Sequence, residues 1–173
     1  MIDVSSLYKI SQNEKVFIDT NILIYLFSPD FVSSSTHQVE QYSKILEILL
    51  EKKAEIYISS VVVSEFINRV LRIDYAKNKD TYPDFKNDYR PSDEYKNTLR
   101  LILNQLKKIL KISHKINDDF DNFDVLAWYA KDRNNDLDFN DLHIAYIVDK
   151  NNLKLLTNDS DFGNFGIDTN WYL

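Results

Sequence analysis

The stretch Lys15-Val16-Phe17-Ile18-Asp19-Thr20-Asn21-Ile22-Leu23-Ile24-Tyr25-Leu26 decides how this chain is read. Its first half is a short apolar run rich in β-branched and aromatic residues, which reads as a buried strand over 15–19. Its second half, near 21–27, is apolar and compatible with a helix. In an open α/β sheet, ligands bind at the carboxyl ends of the strands, and Asp19 stands at such an end. An ionised carboxylate there is costly unless it is paired, hydrogen-bonded or metal-bound. The simpler alternative is a helix cap, for which Asp19 and Thr20 are both good residues.

Working outward, strands and helices alternate. Residues 1–14 read as an N-terminal extension with a short helix around 4–10. A helix over about 36–53 sets Val39, Tyr42, Ile45, Leu46, Leu49 and Leu50 on one face, with cap candidates at Ser33 to Thr36. A strand at 55–59 is followed by a helix over about 60–76 that carries Val62, Val63, Phe66, Ile67, Val70 and Leu71. Periodicity then fails from Lys77 to Pro91, and a segment around 77–92 reads as a long loop or insertion. Ser92 can cap a helix over about 93–111, with Tyr95, Leu99, Ile102, Leu103, Leu106 and Leu110 inward. An edge strand is expected at 112–116 and helices at 121–131 and 138–150, with Asn134-Asn135-Asp136 breaking the first. A strand follows at 153–157, and the tail from 167 to 173 can add a last one. This alternation predicts a parallel sheet with both faces covered, in one domain over 15–173.

Composition narrows the chemistry. The chain has 173 residues, 44% of them hydrophobic and 28% charged, which suits one domain with a substantial core. No apolar run approaches the roughly 20 residues of a membrane helix. The first residues lack signal-peptide architecture, so a cytoplasmic location is expected. Zero cysteines exclude disulfides, thiolate zinc sites and a cysteine nucleophile. His37, His114 and His143 lie far apart without metal-ligand spacing. Two glycines leave no phosphate-cradling loop. Catalysis, if present, must use oxygen ligands. The net charge of −6 argues against coating nucleic acid by bulk electrostatics, but allows an acidic pocket that takes cations.

Four carboxylates stand at element ends or against apolar faces: Asp19, Glu65, Asp141 and Asp159. Three of them fall where successive strands hand over to helices, so they can converge at one edge of the sheet. Packed together they repel and raise one another's pKa. A divalent cation removes that repulsion, and water bound to it becomes more acidic. Each acid also has a plainer role open to it. Glu65 can pair with Arg69 at i,i+4. Asp141, or Asn140, can cap a helix. Asp159 can be a turn residue with Asp161 as the cap. Chance does not readily give all four placements in this order.

The order Val-Phe-Ile-Asp19-Thr20-Asn21-Ile-Leu, then Ser-Glu65-Phe, then Asn-Asp141-Leu-His-Ile-Ala, then Leu-Leu-Thr157-Asn158-Asp159-Ser-Asp161-Phe162 resembles the PIN domain. It is most similar to VapC-type toxin ribonucleases of toxin–antitoxin pairs. The resemblance covers about residues 15–173. It implies a three-layer α/β/α fold with a central, mostly parallel sheet, and an endoribonuclease dependent on Mg²⁺ or Mn²⁺. It gives Asp19, Glu65, Asp141 and Asp159 the place of the family's catalytic, metal-holding acids. Asn21 and Thr157 match polar residues that orient them, and Asp161 is an extra acid. It also implies a homodimer and a small antitoxin whose segment blocks the acidic pocket. The chain departs from the family at Asn158, where Arg is frequent, and at His143 and Tyr146, where alanine is more usual. Its segment 77–92 is longer than in compact members. These departures bear on substrate choice and antitoxin fit rather than on the metal site.

Two basic stretches, Arg69, Arg72, Lys77, Lys79 and then Lys107, Lys108, Lys111, Lys115, can hold an RNA backbone. Tyr75, Tyr82, Phe85, Tyr89 and Tyr95 can stack on bases, although aromatics of this size more often pin a segment to the core. A phosphotransferase of the haloacid-dehalogenase type would need a second Asp two residues after Asp19, where Asn21 stands. A catalytically inactive PIN-like protein- or RNA-binding module is the remaining alternative, and metal binding that depends on Asp19 separates it from the nuclease.

Overall fold

The computed structural model describes residues 10–28, 36–132 and 137–164. The expected helix over 4–10, the cap candidates at 33–35, the breaker at 134–136 and the tail strand over 167–173 lie wholly or mainly outside these residues. Four strands form one sheet: β1 (Lys15–Ile18), β2 (Glu55–Ile58), β3 (His114–Lys115) and β4 (Lys154–Leu156). Their order is β3-β2-β1-β4 and every pairing is parallel. The central strand is buried on both faces, with Val16, Phe17 and Ile18 all inaccessible. Such runs of β-branched and aromatic residues suit a doubly covered parallel strand.

Helices α1 (Thr20–Phe27), α2 (Thr36–Glu51), α3 (Ser60–Lys77) and α4 (Asp93–Ile112) connect β1 to β2 to β3, stepping one way across the sheet. Helices α5 (Val125–Lys131) and α6 (Phe139–Lys150) lead back to β4 on the other side of β1. Right-handed crossovers put connections that step in opposite directions on opposite faces. The contacts agree: α1 packs on α2, α3 and α4, and α3 on α4, whereas α5 packs on α6. The result is the expected α/β/α sandwich. α6 is buried from Leu142 through Val148, so the apolar surroundings reach all round its middle turns.

Several expectations need correction. Asp19 is not the last residue of β1 but the cap of α1. Leu50 and Leu103, expected inward, are 50% and 43% exposed; Ile48 and Ile109 are buried instead. The helix expected from 121 begins at Val125, capped by Asp124, after a separate 3₁₀ turn at Phe120–Asn122. The segment after α3 is ordered rather than loose. It holds a π-helical turn, Phe85–Tyr89, whose Tyr89 is fully buried. Tyr89 rings with Tyr75, Tyr82, Phe85 and Tyr95, and Arg72 lies 3.7 Å over Phe85. These aromatics therefore pin the insertion to the body. Among the described residues no helix is long and apolar enough to cross a membrane.

Candidate active site

The order β3-β2-β1-β4 reverses winding between β1 and β4, and a parallel sheet opens a crevice at such a switch point, beyond the carboxyl ends of its strands. Asp19 lies there. Its backbone N–H donates to Leu156 O at 3.0 Å, continuing the ladder by one bond. Its Oδ1 accepts the Thr20 N–H at 2.5 Å, so Asp19 does cap α1. Its Oδ2 accepts the Thr157 hydroxyl at 2.6 Å.

Thr157, just past β4 and fully buried, is the hub of this corner. While its hydroxyl donates to Asp19, its oxygen accepts Asn21 Nδ2 at 3.3 Å and the Asp159 N–H at 3.0 Å. Asn21 Oδ1 in turn accepts the Asn158 N–H at 3.2 Å. Asp159 Oδ1 accepts the Asp161 N–H at 2.9 Å, so Asp161 enters the network through its backbone.

Glu65 reaches the corner from the second turn of α3, which Ser59 caps. Its Oε2 accepts the Thr20 hydroxyl at 3.1 Å, and its Oε1 faces Arg69 Nη1 at 3.2 Å. Asp141 comes from α6. There Asp138 is the cap and Asp141 completes a capping box, its Oδ2 accepting the Asp138 N–H at 3.1 Å. Two plainer roles are realised, Asp19 capping α1 and Glu65 pairing at i,i+4, but the cap of α6 is Asp138 rather than Asp141 or Asn140, and Asp141 adds the reciprocal bond of its capping box.

They do not exhaust what the acids do, because the acids also act on one another. Asp19, 6% exposed, is raised from 3.8 to about 6. Burial is the largest cause; the charges of Glu65 and Asp159 add to it, against the lowering by Thr157 and Thr20. Asp141 is raised from 3.8 to about 7, by burial first, then by the charges of Asp138, Asp19 and Asp159, against the hydrogen bond from the Asp138 backbone. Four carboxylates from the cap of α1, from α3, from α6 and from the turn after β4 therefore share one electrostatic neighbourhood. They do not close on a point: among the described residues no three His, Asp or Glu side chains gather tightly enough to hold a metal ion.

The sequence reading missed two participants. Thr20 appeared there as a cap, not as the hydroxyl that holds Glu65. Asp138 was not singled out, although its spacing of three from Asp141 is a capping-box signal.

The model of the PIN domain family matches residues 16–167, and the chain belongs to that family. No curated protein matches the sequence. A chain in the crystal structure of VapBC2 from Rickettsia felis bound to a DNA fragment from their promoter shares the fold, with a TM-score of 0.55 at 19% identity, over 89% of this chain and 95% of that one.

Proposed function

We propose that the chain is a metal-dependent endoribonuclease of the VapC toxin kind, hydrolysing RNA phosphodiester bonds, with Asp19, Glu65, Asp141 and Asp159 as its acids. The observation that carries this is the gathering of the acids at the crevice: the charges of Glu65 and Asp159 act on Asp19, and those of Asp19 and Asp159 act on Asp141, both carboxyls being raised by burial first. A fold gains nothing from gathering like charges in this way unless a cation compensates them. Membership of the PIN family supports the reading, as does the shared fold with the VapBC2 chain.

The donor set has the chemistry of a hard-cation site, although the acids stand too far apart here to close on an ion. It is all oxygen, and His143, the nearest imidazole in sequence, has its Nε2 2.7 Å from the Asp118 carbonyl. Mg²⁺ or Mn²⁺ is the expected ion, held by the four acids. When bound, such an ion acidifies water and stabilises the charge that develops on phosphate oxygens. The chain supplies orientation. Asp19 is fixed at both oxygens, by Thr20 and Thr157. Asn21 and Thr157 together hold the turn that carries Asp159, and Asp161 tightens that turn.

A homodimer, an antitoxin that covers the crevice and a cytoplasmic location complete the proposal by family likeness. The test is cleavage of a mixed-sequence RNA by wild type and Asp19→Asn, in EDTA, Mg²⁺ and Mn²⁺. Cleavage is expected only with metal, and Asp19→Asn should lose roughly 100-fold or more. Undiminished cleavage by Asp19→Asn would sink the assignment. Absence of both cleavage and Asp19-dependent metal binding would select the binding module instead.

A further inference from the structure

A cavity of about 450 Å³ opens beside the acids, at the carboxyl ends of β2 and β3. Its walls are Ile58, Val63, Leu110 and Ile116. Its polar groups are Ser60, Lys115, Asn117 and Asp118. The first turn of α3 divides it from the crevice. On one side of that turn the Thr20 hydroxyl lies 3.5 Å from the Val62 carbonyl; on the other, Val63 faces the cavity. Neighbouring strands lie about 5 Å apart, so the ends of β2 and β3 are about 5 and 10 Å from Asp19's strand, a distance that one or two nucleotides span.

Resting on the nuclease reading above, we propose that this cavity receives one unstacked base of the RNA substrate. Apolar walls with a few convergent polar groups suit a nucleobase, whose faces are apolar and whose edge is polar. The polar edge has a direction. Asp118 offers only acceptors: its Oδ1 takes the Ser60 N–H at 3.1 Å, its Oδ2 takes the Ser60 hydroxyl, and further lone pairs remain. Asn117 spends its Oδ1 on the Asp119 N–H at 2.9 Å, which leaves its Nδ2 to donate. An acceptor beside a donor matches the edge of any nucleobase, since each carries an N–H donor next to an acceptor, so the site takes a base without choosing among them.

The mouth carries the charge an RNA backbone needs. Lys115 lines the cavity, Lys111 follows Leu110 in the last turn of α4, and Lys107 lies one turn back on the same side. All three are exposed, on a chain whose net charge is −6. This is the basic stretch that the acid site leaves unused.

The test is binding of short labelled RNAs, identical but for one position filled by A, C, U or an abasic unit, to the full chain in EDTA. Metal and turnover are then not needed. The three RNAs that carry a base should each bind about tenfold tighter than the abasic one, the size of one charge-assisted hydrogen bond. Leu110→Trp, which fills the cavity, and Asn117→Ala, at an exposed position that does not endanger folding, should each erase that preference. Lys111→Ala with Lys115→Ala should weaken all four RNAs alike and flatten the salt dependence. Equal binding of all four RNAs by wild type, or a preference that survives both Leu110→Trp and Asn117→Ala, overturns the base site. Metal-dependent cleavage retained alongside equal binding would show that the base site fails while the nuclease reading stands.

Discussion

The Thr157 hydroxyl donates a 2.6 Å hydrogen bond to Asp19 Oδ2, joining the ends of β4 and β1 across 138 positions of sequence. Because the same oxygen accepts from Asn21 and from the Asp159 backbone, one buried hydroxyl sets the position of two proposed acids. Thr157→Val keeps the volume and removes the hydroxyl. Two donors then lose their acceptor, which should cost about 1–3 kcal/mol, read as a lower urea midpoint at unchanged slope. Asp19 also loses a contact that holds its pKa down, so the acid limb of the cleavage profile should move to higher pH. An unmoved limb would show that the bond does not govern Asp19.

The elevated carboxyls give an unusual pH dependence. Asp19 titrates at 3.8 when unperturbed and about 6 in the fold, and Asp141 moves the same way, to about 7. Between these limits the folded chain binds more protons than the unfolded one, so its stability falls as pH rises. Their contribution is fully present below about 4 and is lost as pH rises through about 6 for Asp19 and about 7 for Asp141. For Asp19, which is buried, the shift corresponds to roughly 3 kcal/mol. Without divalent metal, the melting temperature should therefore decline from pH 4 to 7 through these two groups. Asp19→Asn should flatten the decline, and millimolar Mg²⁺ or Mn²⁺ should restore stability at pH 7 in wild type. A wild-type curve no steeper than that of Asp19→Asn would refute the coupling.

Legibility in the sequence followed the range of the interactions. β1 and β2 were readable because their β-branched and aromatic runs are local signals, β4 because its leucines form a short apolar run, and the acids because each sits near an element end or against an apolar face. The corner itself was not. Thr20 holds Glu65 across 45 positions, a contact made by the packing of α1 on α3 and not by any spacing. The insertion resisted reading because its order comes from aromatic rings gathered on Tyr89, with no helix or strand period. The inward stripes of α2 and α4 were drawn too wide, so Leu50 and Leu103 were placed in a core they do not reach.

Arg69 modulates the site without belonging to the acids. Its guanidinium is half exposed and pairs with Glu65 at 3.2 Å, a pair worth under about 1 kcal/mol on its own. It is, however, a cation beside four mutually repelling carboxylates. Arg69→Ala should lower the metal-free melting temperature slightly and enlarge the rise produced by Mn²⁺, because the ion then has no competitor for Glu65. Paired melts of both proteins with and without Mn²⁺ test this. A smaller rise in the variant would mean that Arg69 assists the ion instead of competing with it.

The insertion depends on one buried carboxylate. Asp74, in the last turns of α3, is 7% exposed. Its Oδ2 accepts the Tyr89 hydroxyl and, at 2.8 Å, the Thr98 hydroxyl. Its carbonyl oxygen accepts Asn78 Nδ2 at 2.9 Å. The carboxylate thus links α3, the π-helical turn and α4. Tyr89→Phe keeps the ring contacts and deletes one donor to a buried charge, which should cost about 1–3 kcal/mol. The loss should be local. Amide exchange over 78–92 should quicken and proteolysis there should rise, while the metal-induced gain in melting temperature stays as in wild type. That separation is expected because nine positions divide Asp74 from Glu65, about 13 Å along the helix. If Tyr89→Phe instead abolished the metal response, the insertion would have to act on the acids through α3.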